Sequence, residues 1–304
     1  MSEYDLVIIG AGPGGLTAGL YAARARMNVL LIEKAAPGGQ VLVTDWIENY
    51  PGFPEGISGF DLAEKIKDQA LTLGLDIETA EVQGLDLSGK IKEVILKEKR
   101  IQTKSVIIAS GASPKKLGVG EDKFMGKGVS FCGTCDGPFF KDKVVVAVGG
   151  GDTAIQESIF LTRFAKKVYI VHRRHELRAT KILQERAFAN DKIEFLWDSV
   201  VTGMDGFFGV EKIHLKNLKT GDASEIEANG CFIWIGILPN TEFIKGVVKT
   251  DESGFILVDT QMQTNVPGVF AIGDVRDTPL RQIATAVGDG AVAAFCAEHY
   301  VENL

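Results

Sequence analysis

Short apolar runs alternate with longer segments of helix-forming composition along this chain. Residues 6–9 are an apolar run that ends in glycines, residues 16–26 are rich in Ala, Leu and Arg, and residues 29–32 return to strand character. The same order recurs within residues 143–171. Strand, glycine turn, helix and strand in succession predict a βαβ unit, so the pattern indicates two of them.

Further strands are predicted between and after the two units, around residues 77–87, 93–96, 105–109, 194–196, 212–215 and 231–234. Another begins at residue 269 and leads through a glycine turn into an alanine-rich helix that extends to about residue 300. Strands that alternate with helices indicate an α/β fold. Because 304 residues exceed the usual size of a single core, we expect two domains.

Composition and charge narrow the classes of partner. Hydrophobic residues make up 45% and charged residues 24% of the chain, which argues against disorder, a collagen-like repeat or a coiled coil. A net charge of -7 provides no basic field for a phosphate backbone, so we expect no nucleic acid partner. No apolar run approaches the roughly 18 residues of a membrane span, so we expect no membrane partner. The N-terminus has no basic segment followed by an apolar one, which predicts a cytoplasmic location.

The first glycine motif, G-A-G-P-G-G at residues 10–15, follows a predicted strand and precedes a predicted helix. Gly10 would make the turn, Gly12 would let the backbone approach a pyrophosphate, and Gly15 would let the helix pack closely on the strand. Glu33 closes the next strand, where a carboxylate can accept hydrogen bonds from ribose hydroxyls. The alternative is a glycine turn that binds no ligand.

The second glycine motif, G-G-G-D-T-A at residues 149–154, ends differently. Its second strand leads into His172, Arg173 and Arg174, and Arg178 follows one turn later. Guanidinium groups at this position favour a 2′-phosphate, which Glu33 in the first unit would repel. The alternative is a solvated basic start of a helix.

The third chemical feature is the pair Cys132 and Cys135, with Asp136 next to it. Two cysteines at this spacing can form a redox-active disulfide, and a reducing cytoplasm makes a purely structural disulfide unexpected. Half of a zinc site is the alternative, but the chain has no second pair of ligands, so we expect no metal. Asp136 fits either an acid–base role or a turn. Cys231 and Cys296 fit small buried hydrophobic positions.

Together these motifs make the chain similar to the low-molecular-weight thioredoxin reductases, which are pyridine nucleotide-disulfide oxidoreductases. The resemblance extends over about residues 4–300 and depends on the order and spacing of its motifs. They are G-A-G-P-G-G at 10–15, P-G-G-Q at 37–40, E-N-Y-P-G at 48–52, I-I-A-S-G-A at 107–112, C-G-T-C-D-G at 132–137, G-G-G-D-T-A at 149–154, H-R-R at 172–174 with R-A at 178–179, and V-F-A-I-G-D-V at 269–275 with R-Q at 281–282.

The resemblance implies two Rossmann-like, three-layer dinucleotide-binding domains, the second inserted into the first. The FAD-binding domain would comprise residues 1–113 and 247–304, and the NADPH-binding domain, which carries the redox pair, residues 114–246. Similar enzymes are homodimers in which the NADPH domain rotates between two arrangements.

The resemblance also assigns the binding residues. Its FAD contacts would be Gly10, Gly12, Pro13, Gly14, Gly15, Glu33, Gln40, Asn49, Ala109, Gly111, Gly273, Asp274, Arg281, Gln282 and Ile283. Its NADPH contacts would be Gly149, Gly151, Asp152, Thr153, His172, Arg173, Arg174 and Arg178.

The implied reaction is the reduction of thioredoxin. Hydride passes from NADPH to FAD, the Cys132–Cys135 disulfide is then reduced, and Cys132 attacks the thioredoxin disulfide while Asp136 handles the proton. Phe139 and Phe140 form either an exposed docking surface or part of the core.

Three departures from the resemblance leave the protein substrate open. They are Gly133 in place of alanine, Ser110 in place of threonine, and Pro138 after C-D-G, as in peroxiredoxin-reducing flavoproteins. The alternatives are therefore a reductase of a glutaredoxin-like protein or of a peroxiredoxin system, or a flavoprotein redox sensor whose cysteines do not turn over.

Overall fold

The computed structural model of the chain describes residues 4–44, 47 and 49–304. Glu48, the first residue of the E-N-Y-P-G motif, lies outside the described residues. The strands are β1 Tyr4–Ile9, β2 Val29–Glu33, β3 Asp76–Thr79, β4 Val82–Asp86, β5 Lys92–Leu96, β6 Arg100–Ile108, β7 Ala112–Pro114, β8 Val129–Ser130, β9 Val144–Gly149, β10 Lys167–Val171, β11 Ile193–Leu196, β12 Ser199–Asp205, β13 Lys212–Asn217, β14 Ala223–Glu227, β15 Gly230–Trp234, β16 Ile237–Pro239 and β17 Val269–Ala271. The helices are α1 Pro13–Arg24, α2 Gly59–Thr72, α3 Gly133–Asp136, α4 Asp152–Leu161, α5 Lys181–Phe188 and α6 Ile283–Glu302.

The chain forms two compact units. The first comprises Met1–Ser113 and Leu238–Leu304, and the second comprises Pro114–Ile237. The return to the first unit therefore comes before residue 247, where the sequence placed it. Asn240 explains the difference, because its Nδ2 donates to the Ser110 carbonyl oxygen at 2.8 Å and its own carbonyl accepts from Ser110 Oγ at 2.8 Å. Residues 238–246 belong to the first unit, which corrects the predicted boundary.

The first unit is built on a mixed sheet of order β3–β2–β1–β6–β5–β4, in which β17 also pairs with β6. Successive side chains of β1 point to opposite faces, so Leu6 and Ile8 lie in one buried cluster and Val7 and Ile9 in another. Helices α1, α2 and α6 cover the Leu6 face. Burial of both faces explains the unbroken apolar run of β1.

The second unit is built on a parallel sheet of order β11–β10–β9–β15–β8, with β12, β13 and β14 in a separate antiparallel sheet. Val146 and Val148 of β9 pack with residues of the antiparallel sheet, whereas Val145 and Ala147 pack with Ile155 of α4. The antiparallel sheet, the parallel sheet and the helices make three layers. The predicted α/β class is confirmed.

The helices differ from the sequence predictions at their ends. Helix α1 starts at Pro13, because proline at a first helical position needs no hydrogen-bond partner and has a suitable φ. It ends at Arg24, just before Arg26 adopts a φ of 62°. Helix α4 begins at Asp152, directly after the second glycine turn, and ends at Leu161. Within the described ranges, no helix is both long enough and apolar enough to cross a membrane.

Candidate functional site

The predicted site residues of the first unit gather at one edge of its sheet. Strands β1, β2, β6 and β17 are connected by parallel pairings, so their carboxyl ends meet at the same edge. Gly10 follows β1, Glu33 ends β2, Ala109 follows β6 and Gly273 closely follows β17. Ligands of parallel sheets bind at this edge, which makes it a candidate dinucleotide site.

The first glycine turn has no space for side chains on its inner side. Gly10 has a φ of 104°, and a Cβ there would collide with the Ala109 carbonyl oxygen. A Cβ on Gly15 would collide with the Gly10 carbonyl oxygen. Gly12, in contrast, faces open space at the start of α1, where among the described residues no side chain caps the helix. The first amides of α1 are therefore available to an anion.

The Glu33 carboxylate is fixed at the end of β2 by backbone amides. Its Oε2 accepts from the Ala11 amide at 2.7 Å and its Oε1 from the Ala35 amide at 3.0 Å. Beside it opens a cavity of about 700 Å³ that is lined by residues of the first unit, among them Gly10 and Val82. The carboxylate is thus placed to meet a hydroxyl-bearing ligand in this cavity.

Asp274 and Arg281 form the second polar part of this unit. Burial raises the pKa of Asp274, the Arg281 charge opposes that rise, and Asp289 adds to it. The Arg281 guanidinium lies 4.3 Å from the centre of the Phe255 ring. Its Nε is buried and has no hydrogen-bond partner among the described residues. A buried donor without a partner is costly, so this atom indicates a polar ligand.

Sequence analysis did not predict the ion pair that supports this region. Arg276 donates to Asp289 through Nε and Nη2, both at 2.7 Å, and Asp289 Oδ2 also accepts from the Gly273 amide at 2.9 Å. The pair fixes the turn after β17 against α6. It joins residues that are 13 positions apart, for which no local motif exists.

Further predicted flavin contacts lie on four segments of the first unit. Asn49 Nδ2 donates to Gln282 Oε1 at 2.9 Å, and Gln282 forms a capping box with Thr285 directly before Ile283, the first residue of α6. Gln40 Nε2 donates to the Ala112 carbonyl oxygen. Gly111 has a φ of 69° and accepts from the Asn240 amide at 3.0 Å. The structure brings Asn49 and Gln282 together, although they are 233 residues apart.

In the second unit, the redox pair and the second glycine turn share one sheet edge. Strands β8, β15, β9 and β10 are parallel neighbours. Cys132 comes shortly after β8, Gly149 ends β9 and His172 directly follows β10. The redox pair and the second glycine turn therefore lie at the same sheet edge of the second unit.

The Cys132–Cys135 pair is a disulfide whose Cα atoms are 5.3 Å apart. Cys132 precedes the short helix α3, and its Sγ accepts from the Cys135 amide at 3.2 Å. Both cysteines are partly exposed. Among the described residues, no group of three or more His, Cys, Asp or Glu side chains could hold a metal ion.

Asp136 is hydrogen-bonded to a residue that sequence analysis missed. Ser130 Oγ donates to Asp136 Oδ2, and it also accepts from the Cys132 amide at 3.0 Å. Ser130 therefore connects the carboxylate to the backbone of the cysteine. Both readings of Asp136, a turn residue and an acid–base group, are compatible with this geometry.

The two phenylalanines after the redox pair have different environments. Phe139 is 44% exposed, whereas Phe140 is buried and packs against Phe232 with ring centres 5.0 Å apart. Only Phe139 can therefore contribute to a docking surface, and Phe140 belongs to the core.

The second glycine turn closely resembles the first in geometry. Gly149 has a φ of 153°, and a Cβ there would be 2.5 Å from the Trp234 carbonyl oxygen. The Gly150 carbonyl accepts from the Arg178 amide at 2.7 Å. Asp152 Oδ1 accepts from the Thr180 amide at 2.6 Å, while Thr153 beside it is exposed. The arginine segment is thus tied to the glycine turn.

His172 and the arginines that follow it have separate roles. His172 is buried against Gly150, and within the described residues its Nε2 has no hydrogen-bond partner. Burial lowers the pKa of His172, and the charges of Arg178, Arg174 and Arg173 lower it further, so the ring is neutral at pH 7. The three arginines are exposed. The positive charge at this edge therefore comes from the guanidinium groups alone.

Comparison with known proteins identifies relatives along the whole chain. The family model for pyridine nucleotide-disulphide oxidoreductases matches residues 4–290. Thioredoxin reductase of Peptoclostridium acidaminophilum is 47% identical over 306 residues, which cover 98% of this chain and 97% of that protein. Thioredoxin reductase of Bacillus subtilis strain 168 is 46% identical and covers 100% of this chain and 98% of that protein. The crystal structure of thioredoxin reductase from Streptococcus pyogenes MGAS5005 is 47% identical, covers 99% of both chains and superposes with a TM-score of 0.93.

Proposed function

Since the chain belongs to the pyridine nucleotide-disulphide oxidoreductase family, we propose that it is a thioredoxin-disulfide reductase that uses FAD and NADPH. The observation that carries the proposal is the Cys132–Cys135 disulfide at the sheet edge that also bears the second glycine turn. A redox-active dithiol and a nucleotide site are the two features that a nicotinamide-driven disulfide reductase requires.

The first unit would hold the FAD. The amides at the start of α1 suit the pyrophosphate, and Glu33 suits the hydroxyls of a ribose. The unpartnered Nε of Arg281 requires a polar ligand, and the hydroxyl and phosphate groups of FAD match that need beside the buried carboxyl of Asp274. When bound, FAD accepts a hydride from the nicotinamide and supplies the electron pair that reduces the disulfide.

The second unit would hold the NADPH. The start of α4 after Gly151 is open in the same way as the start of α1, which suits the pyrophosphate. The exposed side chains of Arg173, Arg174 and Arg178 suit the 2′-phosphate that distinguishes NADPH from NADH. The neutral ring of His172 packs against Gly150 of the turn.

Once the pair is reduced, the chain's own residues complete the reaction. The Cys132 thiolate attacks one sulfur of the thioredoxin disulfide, which forms a mixed disulfide and releases the other thioredoxin sulfur as a thiolate. Cys135 then attacks Cys132, which restores the internal disulfide and releases the second thioredoxin thiolate. Asp136, which accepts from Ser130 Oγ, would carry protons to and from these sulfurs.

The proposal includes three further points. Thioredoxin is the protein substrate, as the names of the full-length relatives support. The enzyme acts as a homodimer, which the family resemblance supports. It works in the cytoplasm, where the electron donor NADPH is available.

The test is an anaerobic titration of the yellow holoenzyme with NADPH, followed by addition of oxidised thioredoxin. We expect NADPH to bleach the flavin absorbance and thioredoxin to restore it. In Cys132→Ser, bleaching should persist while thioredoxin reduction falls at least about 1,000-fold, because the attacking sulfur is gone. Cys296→Ser is the matched control, since this partly exposed thiol lies outside the pair and should leave turnover unchanged. Thioredoxin reduction by Cys132→Ser at the normal rate would overturn the dithiol mechanism.

A further inference from the structure

Helix α4 brings a carboxylate, Glu157, against the loop between the two redox cysteines. The side chain is partly buried, and a Cβ built on Gly133 would be 2.5 Å from Glu157 Oε2 and 3.1 Å from Trp234 Cζ2. Trp234 is itself fixed, because its Nε1 donates to the Phe131 carbonyl oxygen at 3.0 Å. Glycine between the cysteines therefore leaves the space that the carboxylate occupies.

The carboxylate of Glu157 lies in surroundings that offer its charge few partners. Burial raises the pKa of Glu157, and the nearby backbone amides of Thr134 and Gly133 oppose that rise. No charged side chain among the described residues contributes to this shift. Both amides belong to the residues between the cysteines, so the carboxylate lies directly against the redox loop.

A negative charge at this position affects the two redox states unequally. The disulfide is neutral, whereas the reduced pair carries a thiolate at the attacking cysteine, and like charges disfavour each other. Cys132, Cys135 and Asp136 lie on or beside α3, Glu157 reaches the loop from α4, and Trp234 of β15, which also contacts Gly133, is neutral. Glu157 therefore opposes ionisation of the thiol.

We propose that Glu157 is a positioning residue for the redox pair: it holds the Gly133–Thr134 segment and its charge keeps the reduced dithiol strongly reducing. The inference rests on the proposed function, in which this pair passes electrons to thioredoxin. Neutralising Glu157 would stabilise the thiolate, and with it the reduced pair, so the enzyme would become a weaker reductant.

Glu157→Gln tests the proposal, because it removes the charge and keeps one acceptor oxygen for the amides. Two quantities are measured on the holoenzyme without thioredoxin. They are the pH profile of Cys132 alkylation by iodoacetamide, resolved by mass spectrometry, and the dithiol–disulfide equilibrium in glutathione buffers. We expect the thiol pKa to fall by about one unit, and the equilibrium to move toward the dithiol by up to about tenfold, which is about 30 mV for two electrons.

The controls separate charge from structure. Glu185→Gln, an exposed carboxylate on α5 of the same unit, removes the same net charge and should change neither quantity. Glu157→Asp retains the charge and should restore most of the wild-type alkylation profile. If Glu157→Gln matched the wild type in both measurements, or moved the equilibrium toward the disulfide, the proposal would be wrong. If the wild-type enzyme failed to reduce thioredoxin but Glu157→Gln still shifted the thiol pKa, the proposed function would be refuted and the role of Glu157 supported.

Gly133→Ala provides a second variant that retains the glutamate. The added methyl group would force the Glu157 carboxylate and the Trp234 ring away from the loop, so we expect the same direction of change with a smaller size. Because both changes act on one contact, the double variant should show less than the sum of the single effects. Full additivity would mean that Gly133 and Glu157 act independently, which contradicts the inference.

Discussion

The two glycine turns of this protein share a backbone design but differ in the charge that follows their second strands. After the first turn, β2 ends in Glu33, whose two oxygens are held by backbone amides at 2.7 and 3.0 Å. After the second turn, β10 leads to a buried, neutral His172 and then to exposed arginines. A carboxylate accepts from ribose hydroxyls and repels a 2′-phosphate, whereas guanidinium groups bind that phosphate. Under the proposed function, the fold would fix where each dinucleotide binds, and the charge after the second strand would select which dinucleotide.

The turns also differ in how tightly their helices pack. In the first turn, the third fingerprint position is Gly15, where a Cβ would collide with the Gly10 carbonyl oxygen. In the second, the same position is Ala154, whose methyl group fits because Gly149 has no Cβ in the same space. The spacing between strand and helix is therefore smaller in the first unit.

Substitution at the third fingerprint position of the first turn should have the largest effect on the free energy of unfolding. We expect Gly15→Ala to lower the free energy of unfolding by roughly 3 kcal/mol, because the methyl group forces α1 away from the sheet, and to abolish flavin binding. Ala154→Gly should cost only about 1 kcal/mol, the helix-propensity difference. Urea unfolding and the absorbance of bound flavin measure both. Equal losses in the two variants would show that the turns have the same packing.

Removal of one arginine after β10 should have the next largest effect and should act on one nucleotide only. In the variant Arg174→Ala, we expect KM for NADPH to rise about 10- to 100-fold, because one charge-assisted hydrogen bond contributes about 1.5–3 kcal/mol. KM for NADH should stay within about twofold. Arg186→Ala, an exposed arginine on α5, is the matched control for lost positive charge. An equal rise in KM for both nucleotides would contradict binding of the 2′-phosphate.

Local sequence patterns predicted those parts of the site whose residues lie close together in the sequence. The glycine motifs, the charges after the second strands and the cysteine spacing could all be read directly, because each feature depends on residues a few positions apart. The α/β class was predictable for the same reason, since the apolar run of each central strand is buried on both faces.

Contacts between distant segments could not be predicted. Arg276 pairs with Asp289, and Glu157 reaches the cysteine loop, only after the sheet has brought their elements together. The domain boundary near residue 246 was wrong for a related reason, because hydrogen bonds between Ser110 and Asn240 decide which unit the segment joins. A side chain's partner across the fold leaves no trace in the residues beside it.

The two units further differ in how they treat a buried carboxylate. Burial would raise the pKa of Glu121 in the second unit, but the amides of Gly118, Val119 and Leu117 outweigh it, and its pKa lies below the ordinary value. Asp274 in the first unit has a raised pKa instead. The Glu121 carboxylate accepts from amides of its own chain, whereas burial is the main influence on the pKa of Asp274.

Asp274→Asn should therefore have the smallest effect, with a sign that depends on pH and on the cofactor. Because burial raises the folded-state pKa of Asp274 above 3.8, ionised Asp274 destabilises the FAD-free protein at neutral pH. That cost is full above the folded-state pKa and disappears as the pH falls through it toward the value of the unfolded chain. We expect Asp274→Asn to stabilise the FAD-free protein by on the order of 1 kcal/mol at pH 7 to 8, with the gain shrinking toward zero near about pH 4. Thermal unfolding measures this gain, and in the FAD-bound protein the same substitution should lower stability, because a ligand contact is lost. A gain of equal size at every pH would show that Asp274 does not carry an unfavourable charge.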